Sequence, residues 1–179
     1  FDSKKRNDLP LEIPVSVIIC AKNEAENLKK FLPSILNQTY TDFELILIND
    51  ASSDTTSEVM DSFAKKDPRI KIITVKNIET FWGNKKYALT LGIKAAKNDH
   101  LLFTDADCCP VSNSWIYEMS QKFNSKKTIV LGYGKYKKEN TLVNLLVRFE
   151  TLLTAIQYFS YAKLGAPYMA VGRNLAYHR

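Results

Sequence analysis

The sequence predicts an α/β fold, a three-layer α/β/α arrangement around a mostly parallel central sheet. Short, continuous apolar runs recur along the chain, as expected of strands buried on both faces. Segments with apolar residues at helical spacing lie between them, and the two kinds alternate in strict order. A length of 179 residues, with 45% apolar and 25% charged residues, suits one such domain with a substantial core. The same figures argue against a disordered tail or a disulfide-stapled miniprotein.

The run from Val15 to Cys20 follows Pro10 and Pro14 and reads as the first strand. Leu28, Phe31, Leu32, Ile35 and Leu36 then mark one helical face, with Pro33 inside it predicting a kink or a restart. Glu44 to Asn49 reads as the second strand. Asp54 is placed as the N-cap of the next helix, with Glu58 in its first turn and Val59, Met60 and Phe63 on its apolar side. Ile70 to Val75 is the third strand, and Ala88, Leu91 and Ala95 mark the third helix. His100 to Thr104 is the fourth strand, ending at Asp105, and Ile116, Met119 and Phe123 mark the fourth helix. Thr128 to Gly132 is the fifth strand. From Leu142 to Phe159 a long amphipathic pattern follows, as one helix or two. In a parallel sheet of this kind ligands bind outside the carboxyl ends of the strands, which directs attention to 21–24, 50–54 and 105–109.

Several function classes are excluded early. None of the six glycines lies in the first 82 residues, so neither a P-loop nor a dinucleotide fingerprint is present. Two histidines make a Ser-His-Asp machine a poor fit. Cys20, Cys108 and Cys109 form neither a disulfide framework nor a zinc pattern, and read as neutral cysteines of a reducing compartment. No run of 18 uncharged apolar residues and no signal peptide occur. The net charge is +6, and six lysines with no acid fall between 122 and 138, which reads as a solvated face rather than a nucleic-acid site. The chain starts at Phe1, without Met, and stops at Arg179, which is read here as an excised piece of something longer.

The strongest chemical signal is Thr104-Asp105-Ala106-Asp107. Two carboxylates at i and i+2 leave the end of an apolar strand, and an extended backbone would send both to one side. Hard oxygen ligands at that spacing suit Mg²⁺ or Mn²⁺ and leave room for water and phosphate oxygens. A metal so placed would neutralise a diphosphate leaving group. Asp50 follows the second strand and is placed to accept hydrogen bonds from a base or ribose. Asn23 and Glu24 follow the first strand, as caps of the next helix, as pocket lining, or both. Lys85 and Lys86 open the third helix, where a cation beside amide groups suits phosphate or base.

These segments together resemble the family 2 glycosyltransferases, nucleotide-sugar enzymes of the GT-A fold. The resemblance runs in order through Val15 to Glu24, Asn49 to Asp54, Lys85 to Leu89 before Gly92, Thr104 to Asp107, and Gly172-Arg-Asn-Leu-Ala-Tyr177. It implies that Ala21, Glu24 and Asp50 line the nucleoside pocket, with Lys85 near base or phosphates. It implies that Asp105 contacts ribose and metal, that Asp107 holds the divalent ion (Mg²⁺ or Mn²⁺), and that Gly172 and Asn174 lie on the donor-sugar or acceptor side. It further implies inverting transfer from a donor that is often a UDP-sugar to an acceptor hydroxyl. The chain departs from the family pattern at Asn84 and Ala51, where glycine is usual, and at Thr90, where asparagine is usual.

The expected organisation is a basic flank over 1–14, a donor-binding core over 15–135 and the start of an acceptor-side region over 136–179. The base that takes the acceptor proton is expected beyond Arg179. The resemblance implies the cytoplasmic face of a membrane as the setting, with a sugar or lipid-linked acceptor in cell-envelope polysaccharide synthesis; Lys4-Lys5-Arg6 fits a juxtamembrane flank there, and the 142–162 stretch suits either a core helix or a bilayer surface. The alternative is a non-catalytic nucleotide-sugar-binding or regulatory domain. No nucleic-acid partner is expected.

Overall fold

The computed structural model describes residues 13–76 and 85–179. The Lys4-Lys5-Arg6 flank and the Asn84 departure lie outside the described residues. The strands are β1 (Val15–Ala21), β2 (Phe43–Asp50), β3 (Ile70–Val75), β4 (His100–Asp105), β5 (Ile129–Leu131) and β6 (Leu175–His178). The helices are α1 (Ala25–Leu36), α2 (Thr56–Ala64), α3 (Lys85–Ala95), α4 (Trp115–Ser120) and α5 (Leu142–Lys163), with a short 3₁₀ turn at Gly172–Asn174.

One six-stranded sheet runs in the order β3-β2-β1-β4-β6-β5. β1 is parallel to β2 on one side and to β4 on the other, with Cys20 opposite Asp105 and Ala21 opposite Asn49. The connection order therefore reverses at β1, and the crevice of a doubly wound sheet falls there. β6 is antiparallel to both β4 and β5. The strand at Leu175–His178 was not anticipated from the sequence. It separates β5 from β4, so the fifth strand does not continue the parallel series.

Side-chain alternation divides the core into two layers. Val17, Ile19, Leu45, Leu47 and Leu102 pack with Leu28, Leu32 and Ile35 of α1 and Met60 of α2. Ile18, Ile46, Ile48 and Leu101 pack with Ala88 of α3 on the other face. Every residue of β2 is buried, which explains its unbroken apolar reading. Gly92 lets α3 approach: a Cβ there would lie 2.3 Å from Cδ1 of Ile48.

Three local expectations are corrected. Pro33 causes no restart, because it sits in the last turn of α1 and removes only one helical hydrogen bond there. Asp54 is not the N-cap of α2; Thr55 holds that position without a side-chain bond. Asp54 instead accepts from the Thr56 N–H at 3.0 Å. The 142–163 pattern forms a single helix, and only Ala155 and Tyr158 of it are buried, so it is not an ordinary core helix.

At the start of β4, His100 faces His178 of β6 with ring centroids 4.6 Å apart, and Phe123 lies 4.9 Å away. Burial, then the neighbouring His178, lowers the His100 pKa, against the opposing pull of Asp99 and the Pro14 backbone. The folded state thus binds this proton less readily than the unfolded chain. The contribution to stability is complete above about pH 6.5 and is lost as pH falls toward the lower folded value. A His100→Gln variant should therefore lose less melting temperature than the parent between about pH 7 and pH 5. Parallel thermal melts with equal slopes would refute this.

Candidate functional site

The loops after β1, β2 and β4 leave the same end of the sheet. The first two are tied to each other by side chains acting as backbone caps. Asn23 N–H donates to Ser52 Oγ at 3.0 Å, and Ser53 N–H donates to Asn23 Oδ1 at 2.8 Å. Glu24 N–H donates to Thr56 Oγ1 at 2.8 Å, and Ala25 N–H to Asp54 Oδ2 at 3.4 Å. The start of α1 is thus capped from the β2–α2 loop rather than by its own residues. Glu24 holds the N-cap position of α1, but its carboxylate turns to Asn27 Nδ2 at 2.6 Å. These bonds draw the Asp54 pKa down, the side-chain bond from Thr56 foremost.

Two residues in these loops have left-handed backbones, Asn23 at φ 57° and Ala51 at φ 49°. Asparagine tolerates that region; alanine is strained in it. Ala51 stands where the resemblance expects glycine, immediately after Asp50. Asp50 itself ends β2 and is buried.

On the β4 side, Lys85 Nζ contacts Asp105 Oδ1 at 2.6 Å. Desolvation alone would lower the Lys85 pKa, but the hydrogen bond and charge of Asp105 outweigh it, and the net shift is upward. The ammonium therefore stays charged at neutral pH. Asp105 ends the strand, and Cys108 N–H closes a turn onto its carbonyl at 3.1 Å. The extended backbone expected across the two aspartates does not persist. The turn, not strand alternation, gathers Asp105, Asp107 and Cys108, whose candidate ligand atoms all lie within 4.8 Å of one another. Burial, then the charge of Asp107, pushes the Cys108 thiol up to about 11, so it is protonated at neutral pH. The donor set is then two hard carboxylates beside a neutral thiol, which fits Mg²⁺ or Mn²⁺ better than zinc.

A cavity of about 230 Å³ brings Lys85, Asp105 and Gly172 together with Cys20, Thr104 and Tyr177. Ala21 and Asp50 end β1 and β2, Glu24 is the N-cap of α1 and Asp107 lies in the turn after β4; none of the four is in the lining of that cavity. Asp50 and Lys22 are near enough to act on the Cys20 thiol electrostatically. Asn174 is held elsewhere: its Oδ1 accepts from Trp115 Nε1 at 3.0 Å, and its Nδ2 donates to the Tyr133 carbonyl at 3.3 Å. Sequence reasoning missed Cys20 as a lining residue, although its place at the end of a buried strand was a usable signal. Burial first, then the charge of Asp50, raises its thiol to about 11.

A second cavity, of about 310 Å³, adjoins the 3₁₀ turn and was not anticipated. Tyr133, Tyr136, Glu150, Thr154 and Arg173 line it, and the Arg173 guanidinium lies 4.8 Å from the Tyr136 ring centroid. Gly172 and Arg173, neighbours in the turn, thus face different cavities.

The sheet reversal, the acidic pair and the flanking lysine define an α/β protein with a candidate anion-and-metal crevice at its switch point. The model of the family described as glycosyl transferase family 2 matches residues 16–174, and the chain belongs to that family. It is 31% identical over 126 residues to the uncharacterized glycosyltransferase EpsJ of Bacillus subtilis, covering 70% of this chain and 35% of that protein. It is 30% identical over 137 residues to the poly-beta-1,6-N-acetyl-D-glucosamine synthase of Staphylococcus epidermidis, covering 76% of this chain and 32% of that protein. The chain thus spans about a third of the length of these relatives. Among solved structures, the mannosyltransferase PcManGT from Pyrobaculum calidifontis, in complex with GDP-Man and Mn²⁺, matches with a TM-score of 0.69 at 19% identity, covering 98% of this chain and 48% of that one. S. aureus TarS 1-349 in complex with UDP-GlcNAc matches with a TM-score of 0.54 at 22% identity, over 72% of this chain and 36% of that one. These likenesses establish the GT-A fold.

Two expected outcomes test the local geometry. Ala51→Gly should stabilise the fold by about 1 kcal/mol, since relief of the left-handed strain exceeds the added freedom of the unfolded chain; a lower denaturation midpoint would contradict the strain. Cys20 should react slowly with iodoacetamide near pH 8, because it is mostly thiol and partly covered. Rapid labelling of Cys20, followed by peptide mass mapping, would contradict that assignment.

Proposed function

We propose that the chain binds the donor in a glycosyltransferase that moves a sugar from a UDP-sugar to an acceptor hydroxyl, with inversion and metal assistance. The observation that carries the reading is the Asp105–Asp107 pair beside Lys85, at the carboxyl end of β4 where the sheet reverses. Asp50, with Ala21 at the neighbouring strand end and Glu24 at the start of α1, is proposed to receive the nucleoside, since a buried carboxylate at a strand end is a directed acceptor for base or ribose donors. Lys85 is proposed to serve the phosphates or the base. Gly172 is proposed to border the donor sugar, while Asn174 fixes the wall behind it through Trp115 and Tyr133. Asp105 and Asp107 would hold the Mg²⁺ or Mn²⁺ whose charge offsets that developing on the leaving diphosphate.

In the reaction, the acceptor oxygen bonds to the anomeric carbon as the bond from that carbon to the diphosphate oxygen breaks on the opposite side. The acceptor proton passes to a base, and the nucleoside diphosphate leaves. The base is proposed to lie in a part of the enzyme that this chain, which spans about a third of its relatives' length, does not include, so the chain alone should bind donor without transferring sugar. The complexes of TarS with UDP-GlcNAc and of PcManGT with GDP-Man and Mn²⁺ support a nucleotide-sugar donor and a divalent metal, and the polysaccharide-synthase relative supports cell-envelope synthesis. The proposed acceptor is a sugar or a lipid-linked sugar at the cytoplasmic face of a membrane. Residues 15–135 supply the donor side and 136–179 begin the acceptor side in this reading.

The test is calorimetric titration of UDP into the chain, with and without Mn²⁺. Binding should require the ion, and Asp107→Ala should weaken it by about tenfold or more, about 1.4 kcal/mol. Equal affinity in the variant, or tighter binding of GDP than of UDP, would overturn the metal assignment or the base assignment respectively.

A further inference from the structure

Helix α5 presents two unlike faces. Ala155 and Tyr158 pack inward, and the Tyr158 hydroxyl donates to the Gly132 carbonyl at 3.1 Å. Val147, Thr151 and Thr154 line the second cavity from the same side. On the opposite side Leu142, Leu146, Phe149, Leu153 and Ile156 follow a helical stripe that is exposed among the described residues, with Phe159 at its end against the Tyr158 ring at 4.6 Å. Leu142 is 72% exposed, Phe149 63% and Ile156 55%. Isolated exposed leucines are ordinary, but a contiguous stripe along 22 helical residues is not.

The charges beside the stripe favour an anionic surface. Between residues 135 and 163 there are five basic residues (Lys135, Lys137, Lys138, Arg148 and Lys163) against two acidic ones (Glu139 and Glu150). Glu150 borders the cavity and is exposed, one turn from Leu146 and from Leu153 at the edge of the stripe. The lysine segment is pinned to the start of α5: Asn144 Nδ2 donates to the Lys137 carbonyl at 3.0 Å, and Glu139 N–H donates to Asn144 Oδ1 at 3.0 Å. Lys163 closes the other end. There, Tyr161 and Tyr168 meet edge to face at 4.9 Å, and both are exposed. An apolar stripe with cations at both ends and tyrosines at one suits contact with an anionic bilayer surface, although the inner face of α5 is only weakly polar. By length and composition α5 could instead cross a membrane. Its inward face argues against that, since Thr151, Thr154 and the Tyr158 hydroxyl all belong to the protein side.

We infer that the outer face of α5 docks the protein flat onto an anionic bilayer, with the leucine and phenylalanine side chains in the acyl boundary and the lysines among the head groups. The inference rests on the membrane setting proposed above and names its surface. It also gives the second cavity a role by position. That cavity lies on the inner side of the docked helix, so an acceptor anchored in the bilayer reaches it from the membrane plane.

The test is co-sedimentation of the chain with phosphatidylcholine vesicles that contain about one third phosphatidylglycerol, and with pure phosphatidylcholine vesicles. The expected result is binding to the anionic vesicles, weakened about tenfold or more by Leu146→Asn with Leu153→Asn. Lys135→Glu with Lys138→Glu should abolish the preference for anionic vesicles. Circular dichroism and UDP titration run on each variant separate a folding defect from a lost surface, and separate failure of docking from failure of the donor reading. Absence of vesicle binding by the parent overturns the inference. So does unchanged binding by the leucine variant, or a parent dimer in gel filtration that the same substitutions dissociate.

Discussion

The placement of β1 between two parallel neighbours governs the rest of the molecule. Both neighbours run its way, so the loops after β1, β2 and β4 must all leave at one end. That single constraint carries Glu24, Asp50 and Asp105 to a common rim from positions far apart in sequence. It also requires helices on both faces, because parallel pairing leaves β1 and β2 no solvent side. Hence Ile18 and Ile46 must meet α3 while Val17 and Leu45 meet α1 and α2. The closeness of α3 in turn allows Lys85, its first residue, to reach Asp105.

The rim is held by bonds between loops rather than within them. Asn23 bonds across to Ser52 and Ser53, and Glu24 and Ala25 bond across to Thr56 and Asp54. Each loop therefore supplies the other's missing partners. This explains how two left-handed residues are sustained at the crevice, since the surrounding bonds over-determine their backbone. A loosened loop would forfeit capping in its neighbour as well, so the two loops order together.

The parts legible in the sequence were those decided by local periodicity. Leu45 to Ile48 and Ile18 to Ile19 announce buried strands because nothing polar interrupts them, and Asp105 announces a strand end because a carboxylate cannot continue into that core. What was illegible depends on partners distant in sequence. Leu175–His178 has only Ala176 buried, and its pairing with β4 supplies order that its composition does not show. The capping of α1 by Asp54 spans 29 residues, beyond any local rule, and a cap assignment on α2 was the natural local reading. The apolar period of α5 marked a face correctly but could not say whether protein would cover it. The turn at Cys108 defeated the alternation argument, although it left the two aspartates together.

Charge at the crevice explains why the proposed donor would need a metal ion rather than lysines alone. Asp50, Asp105 and Asp107 bring three carboxylates to these strand ends, and Glu24 adds a fourth at the rim. Against them stand Lys22 and Lys85, and Lys85 is already engaged with Asp105 at 2.6 Å. A diphosphate entering this setting meets a net negative field, and at partly buried sites such repulsion is not screened away by water. Basic loops would relieve it for phosphate while weakening the acceptors that a base and ribose need. In the proposed reading, a divalent ion on Asp105 and Asp107 would reverse the sign locally and would leave Asp50 to accept hydrogen bonds. The same acidic residues would then serve both halves of a nucleotide, provided the ion and the diphosphate occupied the crevice together.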